Sequence, residues 1–320
     1  MINVGSGLNV IPFVGQVDDD ERGDWLNALS LLLPGERLVP FSNLTNAEKT
    51  EATIAIVANP QPNEIEQLPN LLWIHSVWAG VERMLADLQG ASFDIVRLID
   101  PELSRTMAEA ALAWTLYLHR DMPAYYRQQQ DQNWKALPYK KPSQKTVGVL
   151  GLGSLGNAAS KTLANTGFNV VGWSRNKKNI SGLKTFEGPE GLKSTFEQSD
   201  IIVCLLPLTD ETRGLIGQEL LQLMPSGGGI INFARGPIIN KTDLITALDD
   251  GHLAHAVLDV FDQEPLPASD PFWVHPHVTV LPHISAPTDV QTASEIVSTN
   301  IKNYRATGQV PACVDRLKGY

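Results

Sequence analysis

The stretch Gly151-Leu152-Gly153-Ser154-Leu155-Gly156 narrows the possible folds of this chain more than any other feature. It follows an apolar run, Val147–Leu150, and precedes a run of small residues, Asn157 to Ala164. A short buried strand, a tight turn and a helix is the reading that accounts for all three parts. In such a unit Gly151 permits the turn, Gly153 lets the backbone approach a pyrophosphate, and Gly156 lets the helix pack against the strand. The first N–H groups of the helix and the positive end of its dipole then face the phosphates. A bare GxGxxG is weak evidence. The flanking strand and helix make dinucleotide binding the better reading, against a glycine-rich turn with no ligand.

A series of alternating elements surrounds this unit. Strand candidates after residue 145 are Thr146–Leu150, Asn169–Trp173, Asp200–Leu205, Gly229–Phe233, Ala256–Val260 and Val278–Leu281. Helices fit between them, including Lys241–Leu248 with Asn240 as its N-cap. A second series occupies the first hundred residues. Its strands are Asn9–Val14, Thr53–Ala58, Leu71–Ile74 and Ile95–Leu98, and its helix Asp18–Leu32 carries Trp25, Leu29 and Leu32 on one face. Alternation of this kind predicts parallel sheets with helices on both faces. Between the two series, Ser104 to Gln130 reads as one helix with Ser104 as N-cap. It is apolar on most sides, which predicts a core helix or, slightly ahead, a contact between domains or between two copies of the chain.

The next strand ends at Trp173, where an NAD-selective protein usually places a carboxylate for the ribose 2′-hydroxyl. Here the chain reads Ser174-Arg175-Asn176-Lys177-Lys178. A hydroxyl and a cation replace the acid, and Arg175 can pair with a 2′-phosphate. The bland alternative is a solvated basic loop. Composition sets the outer limits. The chain has 320 residues, room for two domains, and a net charge of −10, which disfavours nucleic acid and anionic membrane as partners. Two cysteines, Cys204 and Cys313, offer no disulfide framework or zinc site, so a reducing cytoplasm is the simplest setting and no metal is expected. No apolar stretch is long enough to span a bilayer.

Three further segments follow strand-like runs, at the edge where open α/β sheets bind ligands. They are Asn232-Phe233-Ala234-Arg235-Gly236, Leu258 through Glu264-Pro265, and Leu281-Pro282-His283. Each residue alone is ordinary: a loop cation, a turn acid, a hydrogen-bonded histidine. Together they supply what reduction of a keto acid needs. Arginine grips a carboxylate and polarises the adjacent carbonyl, histidine gives a proton to the developing alkoxide, and a carboxylate beside it raises its pKa.

With these motifs in order, the chain resembles the D-2-hydroxyacid dehydrogenase family, most closely its bacterial glyoxylate/hydroxypyruvate reductase A group. The matching stretches are Val-Gly-Val-Leu-Gly-Leu-Gly-Ser-Leu-Gly, Trp-Ser-Arg, Leu-Leu-Pro-Leu-Thr-Asp-Glu-Thr, Asn-Phe-Ala-Arg-Gly, Leu-Asp-Val-Phe with Glu-Pro-Leu-Pro, and Leu-Pro-His-Ile. The end, Val314-Asp315-Arg316 through Gly319-Tyr320, also looks like that group. The resemblance implies that Arg235, Glu264 and His283 are catalytic. It places the cofactor on Gly151, Gly153, Ser154, Leu155, Gly156, Ser174, Arg175, Leu206, Pro207, Thr212, Ala234 and Asp259. It implies that Trp78-Ala79-Gly80, with Arg235 and His283, binds substrate through the Ala79 and Gly80 N–H groups. Trp78 departs from the family's usual glycine and Ser285 from its usual alanine. The implied fold is α/β with two doubly wound parallel-sheet domains. Residues 101–286 would form a Rossmann-type nucleotide-binding domain. Residues 1–100 plus 287–320 would form a discontinuous, flavodoxin-like substrate domain, closing on the other over a cleft. The expected activity is NADPH-dependent reduction of glyoxylate and hydroxypyruvate by a homodimer. The alternatives are a reductase of larger 2-keto acids and a dinucleotide-sensing interaction protein on the same scaffold.

Overall fold

A computed structural model describes residues 9–316 of the chain. The terminal Gly319-Tyr320 of the sequence argument lies outside the described residues. The chain divides into two compact units, one of Met1–Glu102 with Thr288–Tyr320 and one of Leu103–Pro287.

The first unit contains strands β1 (Asn9–Gly15), β2 (Glu36–Pro40), β3 (Ile54–Ala58), β4 (Trp73–Ser76) and β5 (Asp94–Val96). They form one parallel sheet in the order β2-β1-β3-β4-β5, the flavodoxin-like arrangement. β3 is buried at every position, as a central parallel strand covered on both faces must be. One face packs against helix Asp19–Leu32, through Trp25 and Leu29, and helix Val290–Thr307, through Ala293, Val297 and Ile301. The opposite face joins Val57, Ile74 and Ile95 with Ile65, Met84 and Leu88. Leu32 is only half-buried, and Leu33 just past the helix end takes the buried place. β4 begins later than the apolar run Leu71–Ile74, because the Leu71 N–H is already bonded to Leu68 in a turn. β2 has no sequence signature: it is an edge strand in which only Val39 is buried.

The second unit contains β6 (Thr146–Leu150), β7 (Asn169–Ser174), β8 (Lys184–Glu187), β9 (Ile201–Cys204), β10 (Gly228–Asn232), β11 (Leu253–Leu258) and β12 (Val278–Val280). All run parallel, in the order β12-β11-β10-β9-β6-β7-β8. The order reverses between β6 and β9, which is the topological switch point of a Rossmann-type sheet. β8 is the second strand that the sequence hides. It lies at the sheet edge, and Lys-Thr-Phe-Glu shows no fully buried position.

The single helix expected over Ser104–Gln130 is two helices, Pro101–His119 and Met122–Gln130. Ser104 is not its cap. Asp100 accepts the Glu102 N–H at 2.8 Å, and Pro101 opens the first turn, where a missing N–H costs nothing. The break falls at Asp121, whose φ of 56° is left-handed and cannot continue an α-helix. Leu103, Met107, Ala111, Thr115 and His119 form the buried stripe, each four residues from the last. Trp114 and Leu118 flank that stripe and are partly buried against the core of their own unit. As expected, helix Lys241–Asp249 is capped by Asn240, whose side chain accepts the Asp243 N–H. Among the described residues, no helix is long and apolar enough to cross a membrane.

Candidate active site

Because every strand of the second sheet runs the same way, the segments after β6, β7, β9, β10, β11 and β12 all emerge at one edge. The glycine turn leaves β6 there, at the switch point. Gly151 has φ of 94°, a conformation that side chains rarely adopt, and a Cβ on it would meet the Leu205 carbonyl oxygen at 2.6 Å. A Cβ on Gly156 would run into the Gly151 carbonyl, so helix Ser154–Asn165 can pack on the turn only with glycine at this position. At Gly153, the N-cap of that helix, a Cβ would meet nothing within 4 Å, so packing does not require glycine here. Space outside Gly153 and the exposed N-terminal turn of a twelve-residue helix fit a pyrophosphate.

Of two neighbours of the turn, Ser174 is bonded within its own loop and Arg175 faces the segment after β9. The Ser174 hydroxyl donates to the Asn176 carbonyl at 2.7 Å. Arg175 lies 3.7 Å from the carboxylate of exposed Glu211, a weak surface pair. After β9, Leu206 is buried, and the Thr212 hydroxyl donates to Pro207 O at 2.7 Å and accepts the Thr209 N–H at 2.7 Å. Thr212 therefore shapes this loop from within.

The catalytic candidates lie along the other half of the same edge. His283 Nδ1 is 2.7 Å from Glu264 Oε2, and Glu264 Oε1 accepts the Phe261 N–H at 2.9 Å. The hydrogen bond to Glu264 raises the His283 pKa above its ordinary value, against burial, which lowers it, and the Arg235 charge, which also lowers it. Burial pushes the Glu264 carboxyl up, but the bonds from His283 and Phe261 and the nearby positive charges outweigh that and leave it below the usual carboxylate value. Imidazolium beside carboxylate is thus the favoured state of the pair.

The backbone around this pair is held by buried polar groups. His283 has φ of 55°, a costly conformation for a non-glycine residue. The two N–H groups that follow it, Ile284 and Ser285, donate to the two carboxylate oxygens of Asp259 at 2.7 and 2.8 Å. Asp259 is fully buried at the end of β11, and its own N–H donates to the Asn232 carbonyl. Asn232, also buried, accepts the Ala234 N–H at 3.1 Å through its side-chain oxygen and donates to the Arg235 carbonyl at 3.0 Å. Arg235 itself donates to the Ala234 carbonyl at 2.6 Å. The structure therefore brings Arg235, Asp259, Glu264 and His283 to one edge. Trp78, Ala79 and Gly80 belong to the first unit, in the segment after β4.

Residues 112–285 match the family described as D-isomer specific 2-hydroxyacid dehydrogenase, NAD binding domain. The chain belongs to this family. Among solved structures, the 2-hydroxyacid dehydrogenase from Xanthobacter autotrophicus Py2, in complex with NADPH and MES, is 36% identical. That match covers 98% of this chain and 100% of that one, with a TM-score of 0.91. The NADPH-dependent glyoxylate/hydroxypyruvate reductase from Sinorhizobium meliloti, in complex with NADP and sulfate, is 30% identical. It covers 98% and 100%, with a TM-score of 0.89. A probable 2-hydroxyacid dehydrogenase from Rhizobium etli CFN 42, in complex with NADP, HEPES and L(+)-tartaric acid, is 30% identical over 98% and 100%, with a TM-score of 0.87.

The reading of the sequence missed one residue of this dehydrogenase, Asn232, and one role, that of Asp259 in holding the His283 loop. Asn232 stands inside the Asn-Phe-Ala-Arg-Gly stretch without an assigned role. A short amide side chain at a strand end, able to bond its own backbone two and three residues on, is the available signal. Asp259 was expected only near the cofactor. Its hold on the His283 loop spans 26 positions and has no sequence signal.

Proposed function

We propose that this 2-hydroxyacid dehydrogenase reduces small 2-keto acids, glyoxylate and hydroxypyruvate, with NADPH as the hydride source. The observation that carries the reading is the 2.7 Å His283–Glu264 pair, within the charge field of Arg235, on the sheet that bears the glycine turn. The cofactor reading rests on the open flank of Gly153, the arginine at the end of β7 in place of an acid, and the NADP(H)-bound relatives. The substrate reading rests on the Sinorhizobium meliloti relative.

The glycine turn of Gly151, Gly153 and Gly156, with Arg175, would hold the dinucleotide, which when bound would supply hydride for the keto carbon. The protein does the rest. Arg235 binds the substrate carboxylate and keto oxygen in two-pronged fashion and draws charge toward that oxygen. His283, as imidazolium, gives its Nε2 proton to the oxygen as negative charge develops there. Glu264 holds the Nδ1–H, which fixes the ring orientation and stabilises the charged form until the proton leaves. The Ala79 and Gly80 N–H groups are proposed to bind the substrate carboxylate. The assembly is proposed to be a homodimer in the cytoplasm, with no nucleic acid or membrane partner.

Turnover of NADPH with glyoxylate, hydroxypyruvate and phenylpyruvate at neutral pH tests the reading. The two small acids are expected to give the higher kcat/KM. Higher kcat/KM with phenylpyruvate would reject the substrate assignment, and no turnover with any 2-keto acid would reject the reaction.

A further inference from the structure

We propose that Trp78 is an anchor for the Ala79-Gly80 backbone and not a wall that limits substrate size. This deepens the reading that the Trp78–Gly80 segment takes the substrate carboxylate, and rests on it.

A tryptophan at the start of such a segment invites the opposite conclusion, that its indole fills space a larger substrate needs. The first unit argues otherwise. The Trp78 side chain is half-buried and packs against that unit's own core, the cluster that contains Phe13, Val17, Trp25 and Val297. Its main chain is held on both sides. The Trp78 N–H donates to the Ser76 hydroxyl at 3.1 Å, and the Trp78 carbonyl accepts the Leu98 N–H at 3.2 Å. One residue earlier, the Val77 N–H donates to Val57.

The support continues inward. His75 and Ser76 are fully buried. His75 Nδ1 lies 2.8 Å from the Ser76 carbonyl, which can only accept, so Nδ1 carries the proton. The other ring nitrogen, Nε2, is then an acceptor, and it takes the Asn300 amide N–H at 2.9 Å, from helix Val290–Thr307. A chain of bonds therefore runs from that helix through His75 and Ser76 to the Trp78 N–H. At its end the indole adds a large apolar contact with the core. A backbone held in this way loses little freedom when it grips a carboxylate, which is the benefit of preorganisation. Trp78 and Ser76 are positioning residues in this account, because they act through the Ala79 and Gly80 N–H groups.

The test compares the wild-type protein with Trp78→Gly, Trp78→Phe and Ser76→Ala. The first readout is amide hydrogen exchange at Val77 and Leu98, whose N–H groups bond to the Val57 and Trp78 carbonyls, without substrate. The second is kcat and KM for glyoxylate and for phenylpyruvate with saturating NADPH. Trp78→Gly and Ser76→Ala are expected to speed exchange at Val77 and Leu98, whose bonds hold the Trp78 backbone in place. They should raise KM for both acids by about tenfold, less than the hundredfold that a 1 Å misplacement can cost. kcat should move much less, and the preference between the two acids should stay within about twofold. Trp78→Phe, which keeps an aromatic anchor, should stay near wild type in exchange and KM. If Trp78→Gly does not fold, Ser76→Ala and Trp78→Phe carry the comparison.

Exchange that stays slow in Ser76→Ala and Trp78→Gly overturns the proposal, and so does faster exchange without a rise in KM. A shift of preference toward phenylpyruvate by about tenfold or more in Trp78→Gly also overturns it, because that is what removing a wall does. If the wild type reduces neither acid, the proposed function fails, and the exchange comparison alone then decides whether Trp78 anchors the segment.

Discussion

His283 illustrates how much a single residue depends on its partners. Free histidine titrates near about 6.5 and is largely deprotonated at neutral pH. The bond to Glu264 raises that value in this protein, so the proton needed for reduction is retained at neutral pH. Reduction should hold while His283 is charged and decline as the pH rises through its raised pKa. Glu264→Gln keeps the size and removes the charge, so the alkaline limb of kcat/KM should move to lower pH while NADPH affinity changes little. His283→Ala should lose the general-acid contribution, about 10²–10⁴ in rate. The double variant should be no worse than His283→Ala, since Glu264 acts through the histidine. A pH–rate series on the three variants checks these outcomes, and an unmoved alkaline limb would refute the coupling. Arg175→Ala belongs to the same scale. Losing a charge-assisted contact to the 2′-phosphate should weaken NADPH by about 1–3 kcal/mol and leave NADH binding unchanged, as titration with both cofactors would show.

At the scale of elements, the strand–turn–helix of β6 and Ser154–Asn165 separates two jobs that glycine performs. Gly156 is a packing glycine, because its Cβ would collide with the Gly151 carbonyl. Gly153 faces open space, which leaves room for the pyrophosphate of the proposed cofactor. Gly156→Ala is therefore expected to lower the melting temperature of the cofactor-free protein and to weaken NADPH binding. Gly153 is the N-cap of helix Ser154–Asn165 and a Cβ there meets nothing, so Gly153→Ala should lower that melting temperature far less than Gly156→Ala, through the roughly 1 kcal/mol that alanine costs at an N-cap. It should still weaken NADPH binding. Thermal unfolding with and without NADPH distinguishes the two, and equal destabilisation of the free protein by both would contradict this division. The loop after β10 follows the same logic, with Asn232 in place of glycine. Its amide satisfies two backbone groups that would otherwise be left unpaired at a buried strand end.

For the molecule as a whole, two expectations follow from what the core contains. Burial lowers the His75 pKa from its ordinary value to about 4, despite the favourable bond to Ser76. Between pH 6.5 and 4, the unfolded chain binds a proton at this residue and the folded chain does not. The stability is full above pH 6.5, falls as the pH drops, and the loss is complete below about 4, amounting to about 3 kcal/mol. His255, lowered to about 3 by burial, acts in the same direction in the second unit. Urea unfolding at pH 7 and 4.5 should show the loss, and His75→Gln should show a smaller one. The second expectation is assembly. Sedimentation at micromolar concentration should give about twice the 35.0 kDa chain mass, and a monomer throughout that range would refute a dimer. Trp114 and Leu118 are partly covered within their own unit, while Tyr126 and Trp134 are exposed, so the second pair is the surface to probe first by mutation.

The sequence by itself determined the parts of this protein whose cause is local. The glycine turn is legible because its spacing and its flanking strand and helix are local, and Gly156 is required by the Gly151 carbonyl five residues earlier. Central strands such as Ile54–Ala58 are legible because burial on both faces demands an unbroken apolar run. The Arg, Glu and His candidates are legible because their chemistry is uncommon in combination and each follows a strand. Tertiary structure decided the rest, and for one reason: the outcome depends on groups far apart in the chain. The edge strands β2 and β8 exist because a neighbouring strand offers its free hydrogen-bonding side, not because their own residues favour extension. Asp121 ends a helix inside a stretch that looks continuous in sequence. The left-handed His283 is held by Asp259, 24 positions earlier, through the two amides that follow it. No local preference would choose that conformation, and only closure of β11 beside β12 supplies the carboxylate that maintains it.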